Sequence, residues 1–376
     1  MLSLYIHVPF CVRKCRYCGF YSTEYSSGNA DAFISGLKNE MAIYWNDFRH
    51  RSFSSIYIGG GTPTVLAPEQ LGLLAELIRE YFKIVDGVEF TVEANPNTIT
   101  HENLLLMQAQ GVNRFSLGIQ SFSDEVLQIL GRLHTAEQAA DAFRFARSAG
   151  FRNIGMDLIY GIPGQTPAHW KETLVSTIAL QPEHVSVYSL SLDEGSQFMR
   201  DAEAGEFALP DEEICAAMYE LAVIRLNDAG YGRYEISNFS LPGYECRHNM
   251  NYWERGEYLG LGPGAWSFIS GKRYANVADT TEYAQRLSSG QSPIGSQETV
   301  GPSSSARETV LLSLRTTKGL DLAGFEQEFG DGLLRRLKRN AVPLRDAGLL
   351  RMEEGRLTLT ERGILLSNEA LARLSV

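Results

Sequence analysis

The sequence runs to 376 residues, 44% of them hydrophobic and 21% charged, enough to bury a sizeable core in two or three domains. Its formal net charge of −11 argues against a nucleic-acid partner, which needs an excess of Lys and Arg on some face, and no apolar run reaches the length of a transmembrane segment. Five cysteines, and a start directly in strand-like sequence with no signal peptide, describe a reducing, cytoplasmic setting in which any membrane contact is peripheral and made through partners.

A strand over residues 2–7 runs into Pro9-Phe10-Cys11-Val12-Arg13-Lys14-Cys15-Arg16-Tyr17-Cys18, a C-x3-C-x2-C triplet. Three thiolates on one short loop can hold a 4Fe-4S cube and leave one of its four irons open to a small molecule. The competing readings are structural or redox cysteines and a zinc site. Zinc wants four ligands, and His7 is the only nearby candidate for a fourth, although it is better placed to brace the loop. Further strands follow at 55–58, 88–92, 114–119, 153–158 and 184–190, with amphipathic helices at 33–45, 68–82, 102–110, 136–149 and 168–180. Six consecutive βα units imply parallel strands joined by right-handed crossovers, closing wholly or partly into a barrel. Functional residues then belong at the carboxyl ends of the strands.

The motifs fall there. Gly59-Gly60-Gly61-Thr62-Pro63 follows the second strand, and such a glycine run either makes a tight turn or lets backbone peptides approach a ligand. Glu93 ends the third strand, Gln120 ends the fourth, Asp157 lies in the fifth, and Arg132 follows in Gly131-Arg132-Leu133-His134. Taken singly, each reads equally as a cap, a turn or a salt bridge; taken together, they suit directed hydrogen bonds to hydroxyls and to a zwitterion.

Beyond the barrel, a helix over 212–229 carries Cys215, which looks structural. Tyr234-Glu235-Ile236-Ser237-Asn238-Phe239 then leads to Cys246-Arg247-His248-Asn249-Met250-Asn251-Tyr252-Trp253 and to Gly260-Leu261-Gly262-Pro263-Gly264. A neutral imidazole at His248 can ligate heme iron, with the aromatics packing on a porphyrin, or it can be a hydrogen-bonded histidine that supports the glycine-rich turn. Cys246 is the competing iron ligand. From about residue 303, helices at 306–314 and 333–341, a hairpin over 349–359 turning at Glu-Gly, and a last helix from 360 suggest a winged-helix-like module. Arg335, Arg336, Lys338 and Arg339 fall at helical spacing, as on one solvated face.

In their joint order, Tyr5-x-His7-x-Pro9-Phe10-Cys11, Gly-Gly-Gly-Thr-Pro, Glu-x-Asn-Pro, Gly-x-Gln-Ser-Phe, Gly-Arg-x-His and Asp-Leu-Ile-Tyr-Gly-x-Pro resemble the radical S-adenosylmethionine (SAM) superfamily. The likeness is to the branch of oxygen-independent coproporphyrinogen III dehydrogenase and the HemW-type heme chaperones, and it covers nearly the whole chain. The resemblance implies a 4Fe-4S cluster on Cys11, Cys15 and Cys18, whose open iron chelates SAM and whose electron splits it into methionine and a 5'-deoxyadenosyl radical. It further implies SAM contacts at Tyr5, Gly60, Gly61, Thr62, Glu93, Gln120, Arg132 and Asp157, with the glycines and Thr62 at the methionine end. His-Asn-x-x-Tyr-Trp resembles the heme-associated signature of the chaperones, which implies heme at His248. The dehydrogenase pattern carries a further cysteine two residues past the third, where this sequence has Phe20, and an extra segment before the first strand.

The expected fold is α/β: a partial (βα)6 radical SAM barrel over 1–200, an α+β extension with the heme motif over 201–300, and the winged-helix-like module over 301–376. The expected function is a heme chaperone that passes heme to apo-hemoproteins and draws electrons from a flavodoxin or ferredoxin. The alternative is the dehydrogenase, or another radical transformation of a tetrapyrrole. No residue is singled out as catalytic.

Overall fold

The computed structural model describes residues 2–374. Strand β1 (Leu2–Val8) leads into the cysteine loop, whose ends are clipped together by the two-residue parallel strands β2 (Phe10–Cys11) and β3 (Thr23–Glu24). Then β4 (Ser52–Gly60), β5 (Lys83–Ala94), β6 (Arg114–Gln120), β7 (Ile154–Tyr160) and β8 (His184–Ser189) pair in succession with β1 and with one another, all parallel. Parallel strands covered by helices are buried on both faces, which explains their near-continuous apolar runs. Leu4, Ile6, Ile56, Phe115, Leu117, Ile154 and Met156 are each 0% exposed.

The crossovers are α1 (Ser27–Phe48), α2 (Pro68–Tyr81), α3 (His101–Ala109), α4 (Asp124–Leu130), α5 (Ala136–Ser148) and α6 (Pro167–Leu180). Threonine hydroxyls start three of them: Thr100, Thr135 and Thr166 accept from the backbone N–H of Asn103, Gln138 and His169. Helix α1 begins six residues before the expected start at 33. The polar run Ser26-Ser27-Gly28-Asn29 hides it by composition, but Ser26 caps it through the N–H of Asn29.

Helices α7 (Gln197–Glu203) and α8 (Glu212–Asp228) precede β9 (Gly232–Arg233) and β10 (Asn238–Ser240), which extend the β8 edge antiparallel. Helix α9 (Arg247–Trp253) carries the His-Asn-x-x-Tyr-Trp motif. After it β11 (Glu257–Leu261) joins the opposite edge, parallel to β1, and is followed by β12 (Trp266–Ile269), β13 (Lys272–Asn276), helix α10 (Thr280–Ser288) and β14 (Ile294–Thr299). One sheet of twelve strands results, so the 201–300 segment continues the barrel sheet at both edges. The main apolar core runs from Leu2 to Leu287, with a small satellite of Val126, Leu130, Ile159, Ile162 and Phe198 beside it.

Helices α11 (Pro302–Ser313), α12 (Leu322–Phe329) and α13 (Asp331–Asp346) pack on a second core with β15 (Leu320–Asp321) and the hairpin β16 (Leu350–Glu353) and β17 (Arg356–Leu359). Glu354 and Gly355 turn that hairpin with φ of 51° and 76°, the doubly positive pair of a type I′ turn. Helix α13 buries Leu334, Leu337, Ala341 and Leu344 and leaves Arg335, Arg336, Lys338 and Arg339 exposed. The last helical stretch is two short helices, Glu361–Leu365 and Ser367–Arg373, rather than one. Among the described residues no helix is long and apolar enough to cross a membrane.

Candidate functional site

At the carboxyl ends of the barrel strands lies a cavity of about 250 Å³ lined by Cys11, Cys15 and Cys18 together with Gly60, Gly61, Thr62, Glu93, Gln120, Arg132 and Asp157. Every nominated residue except Tyr5 and His248 is therefore on its wall. Among the described residues no three His, Cys, Asp or Glu side chains converge on one point, as a single metal ion requires. The three thiols face a shared space instead, which suits a cube that offers its irons on separate corners. Burial raises the Cys11 thiol pKa and pushes that of Cys18 up to about 11, a cost that binding to iron would offset.

Backbone conformation delivers the polar groups. Gly60 has φ 105°, and a Cβ at Gly61 would lie 2.4 Å from the Phe10 carbonyl oxygen, so the glycine turn packs directly against the cysteine loop. Thr62 N–H donates to Phe10 O at 2.7 Å, and its Oγ1 lies 3.6 Å from Cys11 Sγ. Gln120 is 8% exposed with φ 68°, a left-handed conformation that costs a non-glycine residue free energy and recurs at functional sites.

Arg132 lies across the cavity. Its guanidinium donates to Cys15 Sγ at 3.4 Å, to Gly118 O at 2.6 Å and to Asn95 Oδ1, while its buried Nε finds no partner among the described residues. Asn95 in turn donates to Thr62 Oγ1 at 2.8 Å, tying the strand-end motifs into one network. The Glu93 carboxyl accepts from Tyr57 Oη at 2.7 Å and from Gly60 N–H at 3.2 Å, and burial pushes its pKa up to about 7. Asp157, raised by burial as well, accepts from Ser116 Oγ. Arg132 can meet a carboxylate, and Glu93 and Asp157 cationic groups, in a space the cysteine loop closes.

Asn95 and Arg114 are among the wall residues that the sequence reading did not nominate. Asn95 sat inside the quoted Glu-x-Asn-Pro pattern and could have been named from it. Arg114 opens β6 and is 1% exposed, with Nε and Nη1 lacking hydrogen-bond partners among the described residues. A charged residue at the head of an otherwise apolar strand was its only signal.

Tyr5 and His248 sit elsewhere. The Tyr5 hydroxyl meets His7 Nδ1 at 3.0 Å, and the ring lines a second cavity on the far side of β1; His7 Nε2 lies 3.1 Å from Tyr21 O, so His7 does brace the cysteine loop. His248 is 1% exposed. Its Nδ1 is 3.0 Å from Ser55 Oγ, which donates to Ser3 Oγ, so Nδ1 carries the proton and Nε2 accepts from Tyr252 Oη at 2.9 Å. Burial, with Arg114 nearby, lowers its pKa to about 3. Both ring nitrogens are thus engaged inside the protein, and the expected iron ligand stands in a partition between the two cavities. Cys246, 0% exposed and bonded to Glu89 Oε1 at 3.5 Å, lines neither. Helix α9 spans the partition, with Asn249 reaching the cluster cavity and Tyr252 the second one.

An open parallel βα barrel whose mouth joins a C-x3-C-x2-C loop to these strand-end groups defines a radical SAM protein. Residues 5–176 match the Radical SAM superfamily and residues 303–366 the HemN C-terminal domain. The chain is 36% identical to the heme chaperone HemW of Bacillus subtilis over 98% of either chain. Against HemW of Mycobacterium tuberculosis it is 36% identical over 99% of this chain and 94% of that one, and against HemW of Lactococcus lactis 35% over 99% and 96%. It superposes on the coproporphyrinogen III oxidase HemN of Escherichia coli with a TM-score of 0.87, at 26% identity, covering all of this chain and 90% of that one. The chain belongs to the HemW family of the radical SAM superfamily, and that superfamily implies a 4Fe-4S cluster and SAM.

Proposed function

We propose that this protein is a heme chaperone. It holds a 4Fe-4S cluster through Cys11, Cys15 and Cys18, binds SAM through the cavity residues and passes heme to apo-hemoproteins in the cytoplasm, with a flavodoxin or ferredoxin supplying electrons. The observation that carries the reading is the single cavity shared by three thiols and the strand-end motifs, in a chain similar end to end to proteins named heme chaperone. When bound, the cluster and SAM supply one-electron chemistry. The protein's own groups position: Arg132 presents an unpartnered N–H, Glu93 is held by Tyr57 and the Gly60 peptide, and Asn95 keeps Arg132 and Thr62 in register. Five free cysteines accord with a reducing compartment.

The close superposition on HemN favours a second reading, an oxygen-independent coproporphyrinogen III dehydrogenase. Phe20, 64% exposed where that pattern has its further cysteine, speaks against it. Anaerobic reconstitution followed by two assays on one sample separates the readings. Incubation with SAM, reductant and coproporphyrinogen III is expected to give no decarboxylated porphyrin, and hemin titration is expected to give a stable complex whose heme moves to an apo-hemoprotein. Decarboxylated product would overturn the chaperone reading.

A further inference from the structure

The second cavity, of about 620 Å³, is a groove between the cysteine loop, the added strands and α11. This volume is that of a small-molecule site, which spans roughly 300–1,000 Å³. Its walls are rings: Phe20, Tyr252, Tyr258, Trp266 and Phe268, with Tyr5 at the partition. Trp266 and Phe268 are two residues apart on β12 and so share a face, and Tyr258 is the direct cross-strand partner of Phe268. Trp266 remains 49% exposed and Phe20 64%, large rings left in water around one groove.

The groove also asks for an anion. Arg255 and Arg273 lie 5.9 and 5.7 Å from the centre of the Phe268 ring. Arg273 is neutralised by Glu308 and Glu298 at 2.8 and 2.9 Å. Arg255 is held more loosely: Nη1 donates to Thr309 Oγ1 at 2.9 Å and to Ser305 O at 3.2 Å, its one carboxylate, Glu328, is 3.5 Å away, and its buried Nε finds no partner among the described residues. A guanidinium with one long carboxylate contact and an unpartnered N–H, beside flat apolar walls, fits a planar aromatic ligand that carries carboxylates.

Resting on the chaperone reading, we propose that heme sits in this groove. It lies against Trp266, Phe268 and Phe20, with a propionate on Arg255. His248 is a positioning residue that holds the Tyr252 wall through the Ser3–Ser55–His248–Tyr252 chain of hydrogen bonds. The groove adjoins the cluster cavity, since Phe20 lines both.

Hemin titration of the reconstituted full-length protein, followed in the Soret band, tests this. Trp266→Ser combined with Phe20→Ser is expected to raise the hemin Kd at least tenfold, and Trp266→Ser alone, clear of the cluster cavity, is expected to raise it with iron and sulfide counts unchanged. Arg255→Gln is expected to weaken hemin while leaving hemin dimethyl ester, which lacks the carboxylates, at wild-type affinity. His248→Gln is expected to keep the wild-type Soret maximum, because no iron–imidazole bond is lost. Wild-type hemin affinity in the double variant, or a shifted Soret maximum in His248→Gln, would overturn the groove assignment alone. A wild-type protein that binds no hemin would overturn the chaperone reading and the groove with it.

Discussion

The cluster cavity and the aromatic groove share Phe20 and the partition around His248, yet they are lined by opposite chemistry. One gathers Arg132, Glu93 and Asp157 under a loop of thiols, each fixed by bonds of 2.6–3.4 Å to neighbours that leave it little freedom. The other is mostly ring faces, two of them half or more exposed. Buried charges with preset partners pay their desolvation once and then recognise one ligand geometry, whereas stacked rings hold a flat molecule without directional bonds and release it readily. On the proposed reading, that is the difference between a site for a reactive cofactor and a site for cargo.

The largest break in this comparison is removal of a thiol. Cys11→Ala, Cys15→Ala or Cys18→Ala is expected to abolish the cluster outright, measured as iron and sulfide after anaerobic reconstitution, while Cys215→Ala leaves it intact. Hemin affinity should persist in all four, because the groove does not use the thiols. Next in size, Arg132→Ala and Asp157→Ala are each expected to weaken SAM binding by about 1.5–3 kcal/mol, the scale of a charge-assisted hydrogen bond. Calorimetric titration of SAM checks this, and unchanged affinity in both would remove them from the site.

Substitution in the partition should act on stability first. His248→Ala leaves Ser55 and Tyr252 without their buried partner and is expected to cost about 1–3 kcal/mol of unfolding free energy, read from denaturant melts, with cluster loading retained. The smallest effect concerns protons. Glu93 has a folded pKa of about 7 against an ordinary 4.5, so the folded state binds more protons between those values and stability falls as pH rises through that window. Unfolding of the cofactor-free protein at pH 5 and pH 8 should show that decline, and Glu93→Gln should make it shallower.

Much of the cluster cavity was legible because its groups sit at strand ends, where a βα repeat forces them together whatever the details of packing. Gly60, Glu93, Gln120 and Asp157 could be placed on one rim from the alternation of elements. The groove was not legible, since Phe20, Tyr252, Trp266 and Arg255 come from a loop, a helix, a strand and a turn whose meeting depends on long-range pairing. His248 shows the limit of a motif read alone: spacing placed it on a helix, but not its burial or the two hydroxyl partners that engage both ring nitrogens. The joining of the extension to the barrel sheet was not legible for the same reason, because β11 alongside β1 is a pairing that nothing local in either segment announces.

That pairing also orders events during synthesis. Strand β1 is interior to the sheet, with β4 on one side and β11 on the other, and its second neighbour emerges only after more than half the chain has been made. Until Glu257–Leu261 leaves the ribosome, β1 presents an open, apolar edge to any strand that meets it. The nascent barrel therefore carries an unpaired edge for most of its translation, and a stall or truncation before β11 is expected to yield aggregates rather than a smaller working barrel.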